Sequence, residues 1–172
     1  CGKGKQHKSQ QHEIDDFVSP TFKKKELEKL NIISQLQLGT LGSGNHFIEI
    51  GIDNNGNVSI TIHSGSRRFG YDIADKYMKL SKKEDTQYPG GFLSTESELG
   101  KAFLEDLEFT QNWALLNRKN MMKMTCKAFG LDFKRYESIM INENHNHCVP
   151  HKDGWLHRKG ATPAEKNQLG LI

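Results

Sequence analysis

The most regular pattern of apolar and polar positions lies between residues 46 and 63. Its β-branched and aromatic positions are Phe47, Ile48, Ile50, Val58, Ile60 and Ile62. Such side chains fit a pleated sheet, and the intervening residues 53–57 are Asp, Asn and Gly, which tolerate a tight turn. The pattern predicts a β-hairpin, with the Gly-rich segments 39–44 and 65–70 meeting at its open end.

Three further segments have the apolar spacing of helices. A short charged helix is predicted over residues 22–30, a second over 71–80, and a long one that ends near residue 129, just before a glycine that is a natural stop. Thr95 and Glu98 have the spacing of a capping box, so we expect the long helix to begin there.

Short apolar runs near the end of the chain favour two more strands, over residues 137–142 and at Trp155-Leu156. Four sulfur-containing residues of the long helix are interpreted as core residues: Met121, Met122, Met124 and Cys126. Strands, then helices, then strands again indicate an α+β fold in which mixed β-sheets pack with helices.

Composition narrows the class of protein. At 172 residues, with 35% hydrophobic and 26% charged positions, the chain can form one domain with its own core. No run approaches the roughly 18 apolar residues that a membrane span needs. Three cysteines without paired spacing (Cys1, Cys126 and Cys148) indicate a reducing, cytoplasmic compartment. The net charge of +3 permits an anionic partner without requiring one.

The two ends of the sequence give expectations of their own. Residues 1–35 form a polar segment, of which residues 1–25 are expected to be a mobile surface region, with a contact to nucleic acid as the alternative. The chain begins with Cys1 rather than Met and ends on the apolar residues 171–172. We therefore expect a domain that is truncated at both ends.

Two histidines lie at the ends of the predicted hairpin strands. His46 precedes the first strand and His63 ends the second, beside the Gly-rich segments, where a metal or phosphate can approach the backbone. A two-residue turn would put both histidines on one face of the hairpin, and a three-residue turn with a bulge would put them on opposite faces. The alternation of the isoleucines favours the second register.

A third cluster, residues 143–148, contains His145, His147 and Cys148. It is either a polar loop with exposed histidines or part of a metal site, and its spacing matches no standard zinc finger. Residues 64–67 and 158–160 add hydroxyl, guanidinium and ammonium groups that suit phosphate. Histidines and cations together indicate a combined metal and phosphate site.

Four ordered motifs now make a family resemblance specific. The stretch 39–49 (GTLGSGNHFIE), the stretch 63–67 (HSGSR), the pair 145–146 (HN) and the stretch 157–162 (HRKGAT) occur in the order found in RtcB-type RNA ligases. Residues 112–118 (NWALLNR) also resemble the long helix of that family. The similarity runs from about residue 36 to residue 172, so the chain resembles a partial RtcB-like catalytic domain.

The resemblance implies an activity. RtcB-type ligases act in tRNA splicing and RNA repair, joining RNA ends with a 2′,3′-cyclic phosphate or 3′-phosphate to 5′-hydroxyl ends. They use GTP and two Mn²⁺ ions and pass through a guanylylated histidine. The resemblance implies that His46 is a ligand of one Mn²⁺ and that His63 and His145 are ligands of the second. It also implies phosphate stabilisation by Arg67 and Lys159 and contact with GTP by Asn45, His46, Glu49, His145 and Asn146.

Two motifs of the family are absent from the sequence. One is Asp-x-Gly-Cys-Gly, which carries further metal ligands, and the other is His-Gly-x-Gly-Arg, which carries the nucleophilic histidine. We therefore expect this chain alone to be inactive. The alternatives are a metal-dependent phosphoesterase and a non-catalytic RNA-binding module that retains the histidines. Cys148 is a candidate replacement for the missing thiolate, and His7, His12, His147, His151 and His157 are interpreted as surface or supporting residues.

Overall fold

The computed structural model of the chain describes residues 6–8, 14–84, 91–152, 154–164 and 166–167. Its helices and strands, in chain order, are α1 (Lys24–Gln37), β1 (Phe47–Ile52), β2 (Val58–His63), α2 (Arg67–Glu84), α3 (Glu98–Ala128), two 3₁₀ turns (Phe133–Arg135 and Glu137–Ile139), β3 (Asn146–His151) and β4 (Gly154–Lys159). Helices and strands in one chain confirm the α+β class. The prediction of mixed sheets is wrong for the described residues, because both of their sheets are two-stranded and antiparallel. The wider RtcB-like arrangement stays a prediction.

The helical core is built mainly from aromatic side chains of α2, α3 and the segment before α1. Phe69 is fully buried, and its ring lies 5.6 Å from that of Phe17 and 5.4 Å from that of Trp113. The buried members of this core are Phe17, Phe22, Leu30, Leu38, Phe69, Ile73, Tyr77 and Trp113. Edge-to-face rings at these separations add to the stabilisation that burial of apolar area gives.

The N-terminal segment differs from its prediction as a mobile surface region. Phe17 is 1% exposed, and its backbone N–H donates to the side-chain oxygen of Asn31 at 2.8 Å. The hydroxyl of Ser19, also buried, donates to Asp106 at 2.7 Å. Among residues 14–23, a few apolar side chains therefore outweigh the polar average and anchor the segment to the helices. The prediction for residues 1–5 and 9–13 lies outside the described residues.

The helices are longer than predicted or begin elsewhere. Helix α1 starts after Lys23, whose N–H donates to the Glu26 carboxylate, and it continues well past residue 30. Helix α2 begins within the second Gly-rich segment, ahead of its predicted start at residue 71. The predicted cap of α3 at Thr95 is wrong, because Ser97 accepts the N–H of Gly100 at 3.0 Å.

The end of α3 and its sulfur-containing residues mostly agree with the sequence pattern. Gly130 has a φ of 70° just beyond the helix, a left-handed conformation that glycine adopts without steric cost. Met121 and Cys126 are buried, as expected. Met124 is 46% exposed, so its interpretation as a core residue is wrong.

Strands β1 and β2 form the predicted hairpin. Residues 54–56 make a three-residue turn closed by a hydrogen bond from Asp53 N to Asn57 O, and Gly56 has a φ of 82°. Phe47 lies opposite His63, and Ile48 lies opposite Ile62. The register is therefore the second of the two considered, with the isoleucines on one face and His63 on the other.

Strands β3 and β4 form a second antiparallel hairpin, in which Cys148 lies opposite His157. The predicted strand at Trp155 is confirmed, but β3 replaces the polar loop that was one interpretation of residues 146–148. The predicted strand over residues 137–142 is wrong, because that segment contains a 3₁₀ turn instead. The side chain of Asn142 is directed to Arg118 rather than to a neighbouring strand.

Among the described helices, none is both long and apolar enough to cross a membrane. Cys126 and Cys148 are both buried with free thiols.

Candidate metal and phosphate site

Three histidines from separate segments lie side by side. The ring centroids of His46 and His63 are 5.9 Å apart, and those of His63 and His145 are 5.0 Å apart. His63 is the last residue of β2, while His46 and His145 immediately precede β1 and β3. The ends of three strands thus bring together side chains that are up to 99 residues apart in sequence, from position 46 to position 145.

The hairpin register alone would separate His46 from His63. Alternate residues point to opposite faces of a strand, so an extended continuation of β1 would direct His46 to the isoleucine face. His46 instead lies just outside the strand, after Gly44 with its φ of 79°. The glycine-rich backbone before β1 therefore lets the two rings approach despite the register.

The environment of His46 and His63 favours neutral imidazoles. Burial lowers the pKa of His46, and the nearby charges of Arg67 and His63 lower it further, while the backbone of Leu41 acts in the opposite direction. Burial also lowers the pKa of His63, with His145 and Arg118 acting in the same direction. A neutral imidazole has the free lone pair that a metal needs, so these shifts suit ligation near neutral pH.

Nδ1 of His46 is buried and has no partner within hydrogen-bonding geometry in the described part of the chain. An unsatisfied buried nitrogen costs about 1–3 kcal/mol, so a ligand that it could bind would recover that energy. The backbone of Leu41 also acts on this imidazole, so Nδ1 is a candidate ligand atom that has one polar group of the chain nearby.

Arg67 lies beside His46 because Gly42 leaves room for both. A Cβ on Gly42 would collide with the Arg67 guanidinium and with Nδ1 of His46, and Gly42 has a φ of 108°. Arg67 itself has a φ of 56°, which costs a non-glycine residue about 1–2 kcal/mol. Its Nε donates to Thr40 Oγ1 at 3.1 Å, which holds the guanidinium at the site.

Asn117 of α3 joins two of the histidine segments, a role that the sequence analysis missed. Its Oδ1 accepts the N–H groups of Gly39 and Thr40 at 2.7 and 3.1 Å. Its Nδ2 donates to Thr40 O, Ser64 Oγ and Gly65 O. One signal was present in the sequence: Asn117 lies four residues after Trp113, on a buried helix face where an asparagine is unusual.

Arg118 joins the remaining segments. Its guanidinium donates to the carbonyl of Ser64 at 3.1 Å, to Oδ1 of Asn142 at 2.8 Å and to Oδ1 of Asn144 at 3.2 Å. Ser64 follows His63, and Asn144 precedes His145. Two consecutive residues of one helix therefore contact the neighbours of His63 and His145 and the start of the Gly-rich segment that leads to His46.

The other predicted site residues are placed at different distances from the histidines. Asn146 accepts the N–H of Gly160 at 2.9 Å and lies opposite Lys159 in the second hairpin. Lys159 is therefore paired with the residue that directly follows His145. Glu49 lies on the hairpin face that carries His63. Asn45 is exposed in the loop before β1. Their roles towards GTP and phosphate stay predictions.

The histidines fit part of a metal site. Imidazole nitrogens are suitable ligands for divalent transition metals. In the described residues, however, no three His, Cys, Asp or Glu side chains converge tightly enough to hold a metal ion as they stand. The three rings form a chain of pairwise contacts rather than a closed coordination shell. A cavity of about 490 Å³ elsewhere is lined by α2, α3, Trp155 and His157, not by these histidines.

The fold and the site define a class of protein: an α+β protein with a histidine cluster beside cationic side chains. A sequence model of the family described as "tRNA-splicing ligase RtcB" matches residues 2–172, and the chain belongs to this family. The match begins well ahead of residue 36, where the resemblance was predicted to start.

Individual relatives agree with the family assignment. The chain is 33% identical over 175 residues to a tRNA-splicing ligase RtcB of Pyrobaculum aerophilum, covering 80% of this chain and 36% of that protein. It is 31% identical over 161 residues to the RNA-splicing ligase RtcB of Escherichia coli K12, covering 83% of this chain and 40% of that protein. The chain thus spans well under half of these curated relatives. No solved structure matches it.

Proposed function

We propose that the protein containing this chain is an RNA ligase. It joins RNA ends with a 2′,3′-cyclic phosphate or 3′-phosphate to 5′-hydroxyl ends, with GTP and Mn²⁺ as cofactors and a guanylylated histidine as intermediate. The observation that carries the proposal is the row of three histidine rings, at 5.9 and 5.0 Å, in a chain that belongs to the RtcB family.

The proposal assigns a metal-binding task to His46, His63 and His145. Lowered pKa values keep His46 and His63 neutral, and the buried Nδ1 of His46 lacks a partner among the described residues. Divalent cations held there would orient a nucleotide phosphate and offset the charge that develops during attack. The remaining metal ligands and the nucleophilic histidine would come from the two family motifs that this sequence lacks.

Arg67 is proposed to contact phosphate, because a guanidinium grips phosphate oxygens through two parallel hydrogen bonds. Its Nε donates to Thr40 Oγ1, and within the described residues its two terminal nitrogens make no hydrogen bond, so they could donate to a phosphate. Nη1 and Nδ1 of His46 both lie against Gly42. Lys159 is proposed to add a point charge from the second hairpin, next to Asn146. Asn45, Glu49 and Asn146 are proposed contacts for GTP.

Calorimetric titration with Mn²⁺ tests the metal-binding part of the proposal. We expect His63→Ala to weaken binding at least about tenfold, because even groups that only support a ligand cost this much when changed. The matched control is His151→Ala, an exposed histidine of β3 that should leave the affinity unchanged. Equal affinities for the wild-type chain and His63→Ala would overturn the assignment.

Two other functions give different results in solution. A metal-dependent phosphoesterase would use the same histidines and a water nucleophile, and it would open a cyclic RNA phosphate without GTP. An RNA-binding module would bind RNA equally well with and without a metal chelator. The buried Nδ1 of His46 favours a metal-dependent reaction over an RNA-binding module.

A further inference from the structure

Asn117 and Arg118 are neighbours in α3, yet their side chains leave the helix in different directions. Consecutive residues of an α-helix are separated by about 100° around its axis. Asn117 therefore reaches the backbone of residues 39–40, and Arg118 reaches residues 142 and 144. Both also bind Ser64, Asn117 through its hydroxyl and Arg118 through its carbonyl.

We infer that Asn117 and Arg118 are positioning residues with separate tasks: Asn117 sets the distance between His46 and His63, and Arg118 sets the distance between His63 and His145. Ser64 is the common reference point because it follows His63 and contacts both side chains. The inference rests on the proposed function only in saying what the distances serve, namely metal binding. The distances themselves are a property of the chain without a metal.

The hydrogen bonds of Asn117 are more specific than packing requires. The side chain is fully buried, and both of its polar atoms bind backbone of the irregular segments 39–40 and 64–65. An apolar residue would fill the same volume but would leave several buried N–H and C=O groups without partners, which is costly. The side chain thus fixes where the Gly-rich segment before His46 lies.

The partners of Arg118 support the same conclusion. Arg118 is 8% exposed, and within the described residues its hydrogen bonds go to neutral oxygens, while none of the ion pairs includes it. Burying a charge without a carboxylate partner costs free energy, so a gain in stability does not explain this arginine. Its rigid fork instead links the residue after His63 to two residues just before His145, which suits a geometric task.

Histidine-selective NMR without metal tests this division. The wild-type chain should give ring-to-ring cross-peaks for His46–His63 and for His63–His145, the pairs at 5.9 and 5.0 Å. Asn117→Ser should lose the first cross-peak and keep the second, while Arg118→Lys should do the reverse. Asn112→Ser and Arg135→Lys are the matched controls at exposed positions, and both should keep both cross-peaks.

The inference is overturned if both cross-peaks stay at wild-type intensity in either variant, or if each variant weakens both alike. If Asn117→Ser does not fold, Asn117→Asp is measured instead, because it keeps the acceptor for the N–H groups of residues 39 and 40. If that variant is also unfolded, Asn117 serves folding and not positioning. Mn²⁺ titration of the same samples separates the two proposals: selective cross-peak losses without Mn²⁺ binding would retain the positioning roles and reject the metal site.

Discussion

The helical layer, formed by α1, α2, α3 and residues 14–23, contrasts with the two β-hairpins. In the helical layer Phe69 and Phe17 are 0% and 1% exposed. In the first hairpin Ile52 and Val58 are 73% and 65% exposed. Burial of apolar area is the main source of folding energy, so the helical layer provides stability, while the three histidines lie in or directly before hairpin strands.

The difference shows where the geometry of the site comes from. Hairpins that bury few side chains are held mainly by their own backbone hydrogen bonds, and two-stranded hairpins are marginal alone. The polar side chains of Asn117 and Arg118 connect them to the helical layer next to the histidines. A few hydrogen bonds between the helical layer and the exposed hairpins thus determine where the histidines lie.

The largest effect is expected in the helical layer. Phe69→Ala should lower the free energy of unfolding by about 3–5 kcal/mol, because it removes a buried ring and leaves a cavity between Phe17 and Trp113. Urea unfolding measures the change. Tyr71→Ala, at a 62% exposed position of the same helix, should change stability by less than about 0.5 kcal/mol. Similar losses in both variants would contradict the packing described for the layer.

A smaller effect is expected at the buried carboxyl of Asp106, which accepts hydrogen bonds from Ser19 at 2.7 Å and Tyr77 at 2.6 Å. Asp106→Ala should cost about 1–3 kcal/mol, because two hydroxyl groups lose their buried acceptor. Glu108→Ala, at an exposed position of α3, is the control and should be close to neutral. Equal urea midpoints for the two variants would show that residues 14–23 are not anchored through Asp106.

The same carboxyl should make stability depend on pH. Burial raises the pKa of Asp106, against the opposing hydrogen bonds of Tyr77 and Ser19, and the charge of Glu105 adds to the rise. The folded chain therefore binds this proton more tightly than the unfolded chain, whose aspartates titrate near pH ~3.9. The stabilising contribution is complete below that pH and is lost as the pH rises through the folded pKa.

Asp106→Asn removes this titration and keeps an acceptor for the hydroxyl groups. The stability of the wild-type chain relative to Asp106→Asn should fall as the pH rises from about 4, then level off above the folded pKa. Urea midpoints at several pH values measure it. A difference that does not change with pH, or that grows, would contradict the raised pKa.

The smallest effect is expected on the isoleucine face of the first hairpin. Ile52→Thr should change the free energy of unfolding by less than about 0.5 kcal/mol, because the side chain is exposed and threonine keeps the β-branched shape. Ile73→Thr, which places a hydroxyl in the helical core, is the matched contrast and should cost several times more. A large loss for Ile52→Thr would show that this face is covered.

Local sequence patterns predicted much of the fold. The first hairpin, its three-residue turn, the stop at Gly130 and the strand at Trp155 all follow from nearby residues. The burial of Phe17 was not predicted, because the N-terminal segment is polar on average and a single aromatic residue does not change that average. Strand β3 was also missed, because Asn146-His147-Cys148 lacks the β-branched alternation that marks strands.

For the histidine cluster, the sequence predicted which three rings lie together but not which residues hold them there. His46, His63 and His145 were expected to meet, and their rings do lie in contact. The contacts of Asn117 reach residues 77 and 78 positions away, and no local pattern encodes such pairs. The position of Arg118 beside residues 142 and 144 likewise depends on tertiary packing.

Paramagnetic broadening by Mn²⁺ tests most directly whether the three histidines form one site. With histidine-selective labels, the imidazole signals of His46, His63 and His145 should broaden together at the same low Mn²⁺ concentration. The signal of His151, at the far end of β3, should persist as an internal control. Broadening of the three at different concentrations, or equal broadening of His151, would contradict a shared metal site.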